Sequence, residues 1–200
     1  ASPVLRALSQ VLYTYDCARI TGYAILKRLE NSPARSFEFP DSDLGEQLRT
    51  AARLLEAGVA VSVLKVVQDG YDTHDSQPDQ HAYLLEDLSQ SITAFSNAMR
   101  EVGLWDKTTV VTFSEFGRTA REYASGGTDH VTAAPLFVAG GNVAGGMSGR
   151  APSLTDLVED DLVFTTDYRT VYSALLKDLW GISAPQFETG ENSLTLLTNS

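Results

Sequence analysis

Between Leu84 and Val102 the apolar residues Leu84, Leu88, Ile92, Phe95, Met99 and Val102 recur at spacings of 4, 4, 3, 4 and 3. That period places all six on one face of a helix, since residues three and four apart stack on the same side of a 3.6-residue turn. Gly103 ends the pattern. A stripe of this length must be buried against something, and the candidates flank it in sequence. VAVSVLKVV precedes it over 59–67, and TTVVTF follows it, centred on 109–113. Both are β-branched runs of strand composition. APLFVAGG adds a third over 135–139. Strands alternating with a long amphipathic helix predict an α/β fold, a mainly parallel sheet flanked by helices. In it, 59–67, 109–113 and 135–139 are neighbouring strands and the 80–103 helix packs on one face.

The rest of the chain fits around that unit. Leu5, Leu8 and Leu12, then Ile20, Ala24 and Leu26, predict one or two packing helices with a break near Arg19 to Gly22. NSPARSFEFPDSDLG is a Pro-, Ser- and Asp-rich surface loop. A helix capped at Asp43 carries Leu48, Ala52 and Leu55 on one face and stops at Gly58. Near the end, TDYRTVYSALLKDLWG predicts a helix with Thr166 or Asp167 as its N-cap, and ISAPQFETGENSLTLLTNS a capping segment. With no internal repeat, low-complexity tract or second boundary, residues 1–200 read as a single α/β domain.

Composition removes several classes of function. Fifteen basic against 26 acidic residues give a formal charge of −11, the wrong sign for neutralising a phosphate backbone, which sets nucleic acid aside as a partner. No run of apolar residues is long enough for a membrane span, and the start ASPVLRALSQ lacks the layout of a signal peptide. The chain opens without Met inside a helical pattern, so residue 1 is expected to be internal to a longer product. Cys17, a single cysteine, excludes an internal disulfide and a cysteine-based zinc cluster but leaves the compartment open.

In parallel sheets, ligands gather beyond the carboxyl ends of the strands, which directs attention to three loops. They are Asp69-Gly70-Tyr71-Asp72-Thr73-His74-Asp75, Ser114-Glu115-Phe116-Gly117-Arg118 and Gly126-Gly127-Thr128-Asp129-His130. Two of the three histidines thus stand beside aspartates in loops. Imidazole with carboxylate suits a divalent cation of the zinc or manganese kind. The alternative is that the aspartates form turns and the histidines bond loop backbone. Glu115 and Arg118 follow a strand, where a charged group either faces a site or needs a partner, the plainer alternative being an ion pair of Glu115 with Arg118 or Arg121. His81, at the start of the long helix, reads as a solvated or capping residue, and an acid at Asp167 ahead of Arg169 as an N-cap.

Taken in order, DLGEQLRTAARLLEAG, DGYDTH, TVVTFSEFGRT, GGTDHVTAAPLFVAGGNVAGG, PSLTDL and TTDYRTVY resemble the DUF1501 family from about Phe39 to Gly181. DUF1501 proteins look like members of the alkaline phosphatase superfamily, whose enzymes hydrolyse phosphate or sulfate esters at one or two metals. The resemblance implies an alkaline-phosphatase-like fold of which this chain is the C-terminal part, completed by the N-terminal half of the same protein. It implies a first metal on Asp72, His74 and His130 and a second with Glu115 as its ligand in this segment. Zinc is the leading cofactor, with manganese, magnesium or calcium as alternatives. It further implies an anionic small-molecule ester as substrate, a nucleophile upstream, and periplasmic or secreted placement. In such a site Glu115 is expected to act as general base for a metal-bound water and Arg118 or Arg121 to neutralise the anion. Two departures stand out. Asp72-x-His74 is tighter than the superfamily spacing, and the Asp-His pair of the second metal is replaced by Glu115-Phe116. Within DUF1501, Asp69 and Val131 stand where glycine is usual. The alternative these changes imply is a non-catalytic exported binding or scaffolding protein with a degenerate metal site.

Overall fold

A computed structural model describes residues 3–33, 35–158, 161–187, 189–190 and 194–198. They group into two compact units, one made by the chain up to Gln68 with Asp87–Ala98, the other by Asp69–Glu86 with the chain from Met99 onward.

In the first unit, α1 spans Pro3–Glu30 without interruption. The expected break near Arg19 to Gly22 is absent. Glycine in a helix interior costs about 1 kcal/mol relative to alanine, too little to stop a helix with good formers on both sides. Leu12, Ile20 and Leu26 lie more than half exposed, so the helix is not the packing element the spacing predicts, while the side chains of Leu5 and Leu8 lie outside the described residues. The second helix, α2, spans Asp43–Glu56, and its cap is Ser42 rather than Asp43: the Ser42 hydroxyl accepts from the Gly45 amide at 3.0 Å. Leu48 and Ala52 are buried as expected, together with Phe37, Leu44 and Ala51.

The β-branched run 59–67 forms no strand. Val63 is 72% exposed and Val67 45%. Instead of a ladder, the Gln47 carboxamide brackets Val67, accepting from its amide at 2.9 Å and donating to its carbonyl at 2.8 Å. β-propensity expresses itself only where neighbouring strands and burial reward it.

Helix α3 spans Gln77–Glu101, with its middle in the first unit and both ends in the second. Its stripe is as predicted, with Phe95 and Met99 buried and Leu84, Leu88, Ile92 and Val102 half-buried.

The second unit holds the strands. After a short turn at Trp105–Lys107 come β1 (Thr109–Val111), β2 (Gly117–Arg118), β3 (His130–Val131), β4 (Val138–Gly140), β5 (Leu157–Val158) and β6 (Asp161–Leu162). They form three two-stranded antiparallel sheets, β1 with β4, β2 with β3, and β5 with β6. The mainly parallel, alkaline-phosphatase-like sheet is therefore overturned. A parallel pair needs a crossover, usually helical, whereas the chain between β1 and β4 holds no helix and returns in the opposite direction. Helix α4, Tyr168–Trp180, closes the unit, capped by Asp167 and ended by Gly181 in the left-handed conformation at φ 64°. Its Val171, Ala174 and Leu175 form a core with Leu196, against which Val111, Leu136, Val138 and Leu194 pack. No helix among the described residues is long and apolar enough to cross a membrane.

Candidate metal centre

Two loops of the second unit meet at the candidate site. One leads into α3 and carries Asp72 and His74; the other leads into β3 and carries Asp129 and His130. They are stitched by main-chain bonds from Ser76 to the Ser125 carbonyl at 3.2 Å and from Gln77 to the Gly126 carbonyl at 2.8 Å, and by the Ser125 hydroxyl donating to the His74 carbonyl at 2.8 Å. Gly127 permits the approach. A Cβ there would stand 2.1 Å from the His74 carbonyl carbon, well inside contact distance. Register completes the arrangement, because Arg118 on β2 lies directly opposite His130 on β3.

Asp72 Oδ1 sits 2.6 Å from His130 Nε2 and 2.9 Å from His74 Nε2. One ligand atom from each of the three residues lies within 4.8 Å of the others, although Asp72 and His130 are 58 positions apart. Ligand bonds of about 2.0 to 2.2 Å around one zinc ion call for donors roughly 3.5 Å apart, so Asp72 Oδ1 would draw back from both imidazoles while the two histidine nitrogens close by no more than roughly 1.3 Å. The donor chemistry fits a divalent cation: two imidazoles and a carboxylate, with the side chains 43–64% exposed. The hydrogen bond from His130, helped by the charges of both imidazoles and opposed by desolvation, holds the Asp72 carboxyl below its ordinary value.

A second layer holds these groups in place. Asp129 Oδ1 lies 3.3 Å from His74 Nδ1, and the Tyr123 hydroxyl donates to Asp129 Oδ2 at 2.9 Å. A carboxylate on the far nitrogen is the usual way a ligating imidazole is oriented. The Phe116 ring stacks on His130, with centroids 3.8 Å apart and planes within 8°. Beneath the site, Thr73 and Thr128 are buried. Thr73 Oγ1 lies 3.0 Å from His81 Nε2, and Thr128 Oγ1 donates to Gln77 Oε1 at 2.9 Å. His81 is thus half-buried under the ligand loop rather than solvated.

Arg118 turns its guanidinium onto backbone of both loops, with the side chain 15% exposed. Its Nη1 donates to the Thr128 carbonyl at 2.7 Å and its Nη2 to the Tyr71 carbonyl, with Asp72 Oδ1 3.7 Å from Nη2. Glu115 is exposed and is not among the residues whose ligand atoms gather. Ser114 closes a local turn, donating to the Phe116 carbonyl at 2.7 Å.

The roles of Thr73, Thr128, Phe116 and Tyr123 escape a motif reading. In Asp72-Thr73-His74, Thr73 is buried while Asp72 and His74 are exposed, and its amide closes a tight turn onto the Tyr71 carbonyl at 2.9 Å.

A family profile described as "Protein of unknown function (DUF1501)" matches residues 27–179, well over half of the chain. The chain belongs to the DUF1501 family. No curated protein and no solved structure matches it. The DUF1501 match takes in every residue of the site just described, from Tyr71 to His130.

Proposed function

We propose that this DUF1501 chain binds a divalent cation, zinc first among the candidates, at Asp72, His74 and His130, and that the site serves hydrolysis of phosphate or sulfate esters as in the alkaline phosphatase superfamily. The observation that carries the metal reading is the convergence of three ligand atoms within 4.8 Å from loops far apart in sequence. Bound there, the cation would polarise an ester oxygen as a Lewis acid. The protein's own groups divide the remaining work. Asp72 and the two Nε2 atoms supply donors, Asp129 orients His74, and Phe116 fixes the plane of His130. The openness of the site suits an anionic small molecule entering from solvent.

Calorimetric titration with zinc, manganese, magnesium and calcium tests the binding step. Wild type should bind one zinc per chain and His130→Ala should lose it; absence of binding in wild type refutes the proposal. A panel of aryl phosphates, phosphodiesters and sulfates then tests the chemistry. Turnover by these 200 residues is expected to be slow, because three hydroxyls on the ligand loops, those of Thr73, Ser125 and Thr128, are engaged in hydrogen bonds rather than held out as nucleophiles.

A second reading, a non-catalytic metal-binding protein, is favoured by Phe116. Where the superfamily resemblance calls for a second-metal histidine, this ring stacks on His130. One zinc bound tightly with no ester cleaved across the panel would select it.

A further inference from the structure

We infer that Arg118 is a positioning residue of the metal site, a clamp between the two ligand loops, rather than a group that binds an anion. The inference rests on the metal reading for its consequence but on backbone geometry for its substance. The guanidinium has two forked arms. One donates to the carbonyl of Tyr71, the residue just before Asp72, and the other to the carbonyl of Thr128, two residues before His130. A planar fork of fixed width therefore sets the separation of the two loops from which all three ligands project. Its position is itself constrained. Arg118 lies on β2 opposite His130, its side chain is only 15% exposed, and its guanidinium carbon sits 5.0 Å from the centroid of the Phe116 ring that stacks on His130. The Nε atom is buried without a partner among the described residues. An arginine that meets an anion presents an open forked edge for bidentate contact; here one N–H of each arm is taken by a main-chain carbonyl and the Nε edge is buried. The guanidinium also stays 3.7 Å from Asp72 Oδ1, beside the donor atom without occupying it.

Loss of the clamp should leave the fold standing. The same loops are joined independently by the Ser76 and Gln77 amides, the Ser125 hydroxyl and the Thr128 to Gln77 bond. What should be lost is the exact spacing of the donors. Groups that support ligands from behind commonly contribute 10- to 100-fold in metal affinity, and Arg118→Ala is expected to weaken zinc binding by about that factor. Arg118→Lys, a single point donor that reaches one carbonyl at a time, should recover only part of it.

The experiment has a metal-free arm and a metal arm on the full chain. Without metal, amide hydrogen exchange should rise in both the 71–75 and 128–131 loops of Arg118→Ala while α4 keeps its protection; unchanged exchange in both loops overturns the clamp whether or not zinc binds. With metal, cobalt(II) in place of zinc should give a visible absorption band whose intensity and position differ between wild type and Arg118→Ala, because the donors no longer close to the same geometry. Identical cobalt spectra, wild-type affinity in Arg118→Ala, or full recovery in Arg118→Lys would each overturn it. Wild type that takes up neither metal would refute the metal reading, and the exchange arm would still decide the clamp.

Discussion

Replacing Gly127 with alanine should separate the two ligand loops without touching a ligand. The added methyl would lie 2.1 Å from the His74 carbonyl carbon and 2.2 Å from its oxygen. Carbon atoms pack at about 3.5 Å or more, so one loop must retreat by roughly 1.4 Å. Metal coordination holds donor distances to about 0.2 Å, several times tighter than that displacement. His74 then falls out of reach of a cation held by Asp72 and His130, and zinc affinity is expected to fall by about 100-fold or more, the upper end for groups that act through a ligand. Overpacking of this kind also destabilises by about 1 to 3 kcal/mol, which a thermal melt of the metal-free protein would register. The assay is zinc titration against a competing chelator for wild type and Gly127→Ala, with the melt as control for folding. A variant that binds zinc within about twofold of wild type and melts at the same temperature would refute the reasoning, since the loops could not then abut as described.

Asp129→Asn should weaken zinc binding by about 10-fold while Tyr123→Phe has a smaller effect in the same direction, because the carboxylate orients His74 and the phenol only holds the carboxylate; the same chelator titration measures both. Because the folded Asp72 carboxyl is held low, its contribution to stability is present above the unfolded value of about 3.9 and is lost as the pH falls through the lower folded value. Melting curves of wild type and Asp72→Asn should therefore converge in strong acid, and a gap that widened there would contradict the assignment. Asp167→Ala removes the cap of α4, whose Oδ1 accepts from the Arg169 amide at 2.8 Å, and should cost about 0.5 to 2 kcal/mol in chemical denaturation.

The parts legible in the sequence are those set by local chemistry. Helix α3 and its stripe, α4 with Asp167 as its cap, and α2 follow from periodicity and end signals that act within a few residues. The convergence of Asp72 and His74 with His130 was legible because each sits in a short, distinctive run. Sheet topology was not, since composition marks β-branched runs without saying which find partners. The run 59–67 is the case in point, without a partner strand among the described residues and with Val67 bonded on both main-chain groups by the Gln47 side chain. The 112–137 stretch did hold a usable signal, because it shows no helical period and so offers no crossover for a parallel pair. The contacts of Arg118 were not legible either, because a guanidinium near such a motif serves equally for binding anions and for holding carbonyls, and its bonds to Tyr71 and Thr128 depend on where the fold brings those residues.

The Gln47 bracket around Val67 bears on how this protein behaves in concentrated solution. An exposed, β-prone stretch such as VAVSVLKVV is the type of segment that nucleates cross-β assembly between molecules. A single carboxamide on α2 already occupies both main-chain groups of Val67, and Lys65 places a charge two residues away. Together they act as a gatekeeper, denying an incoming strand one full rung of its ladder and adding like-charge repulsion to each stacked copy.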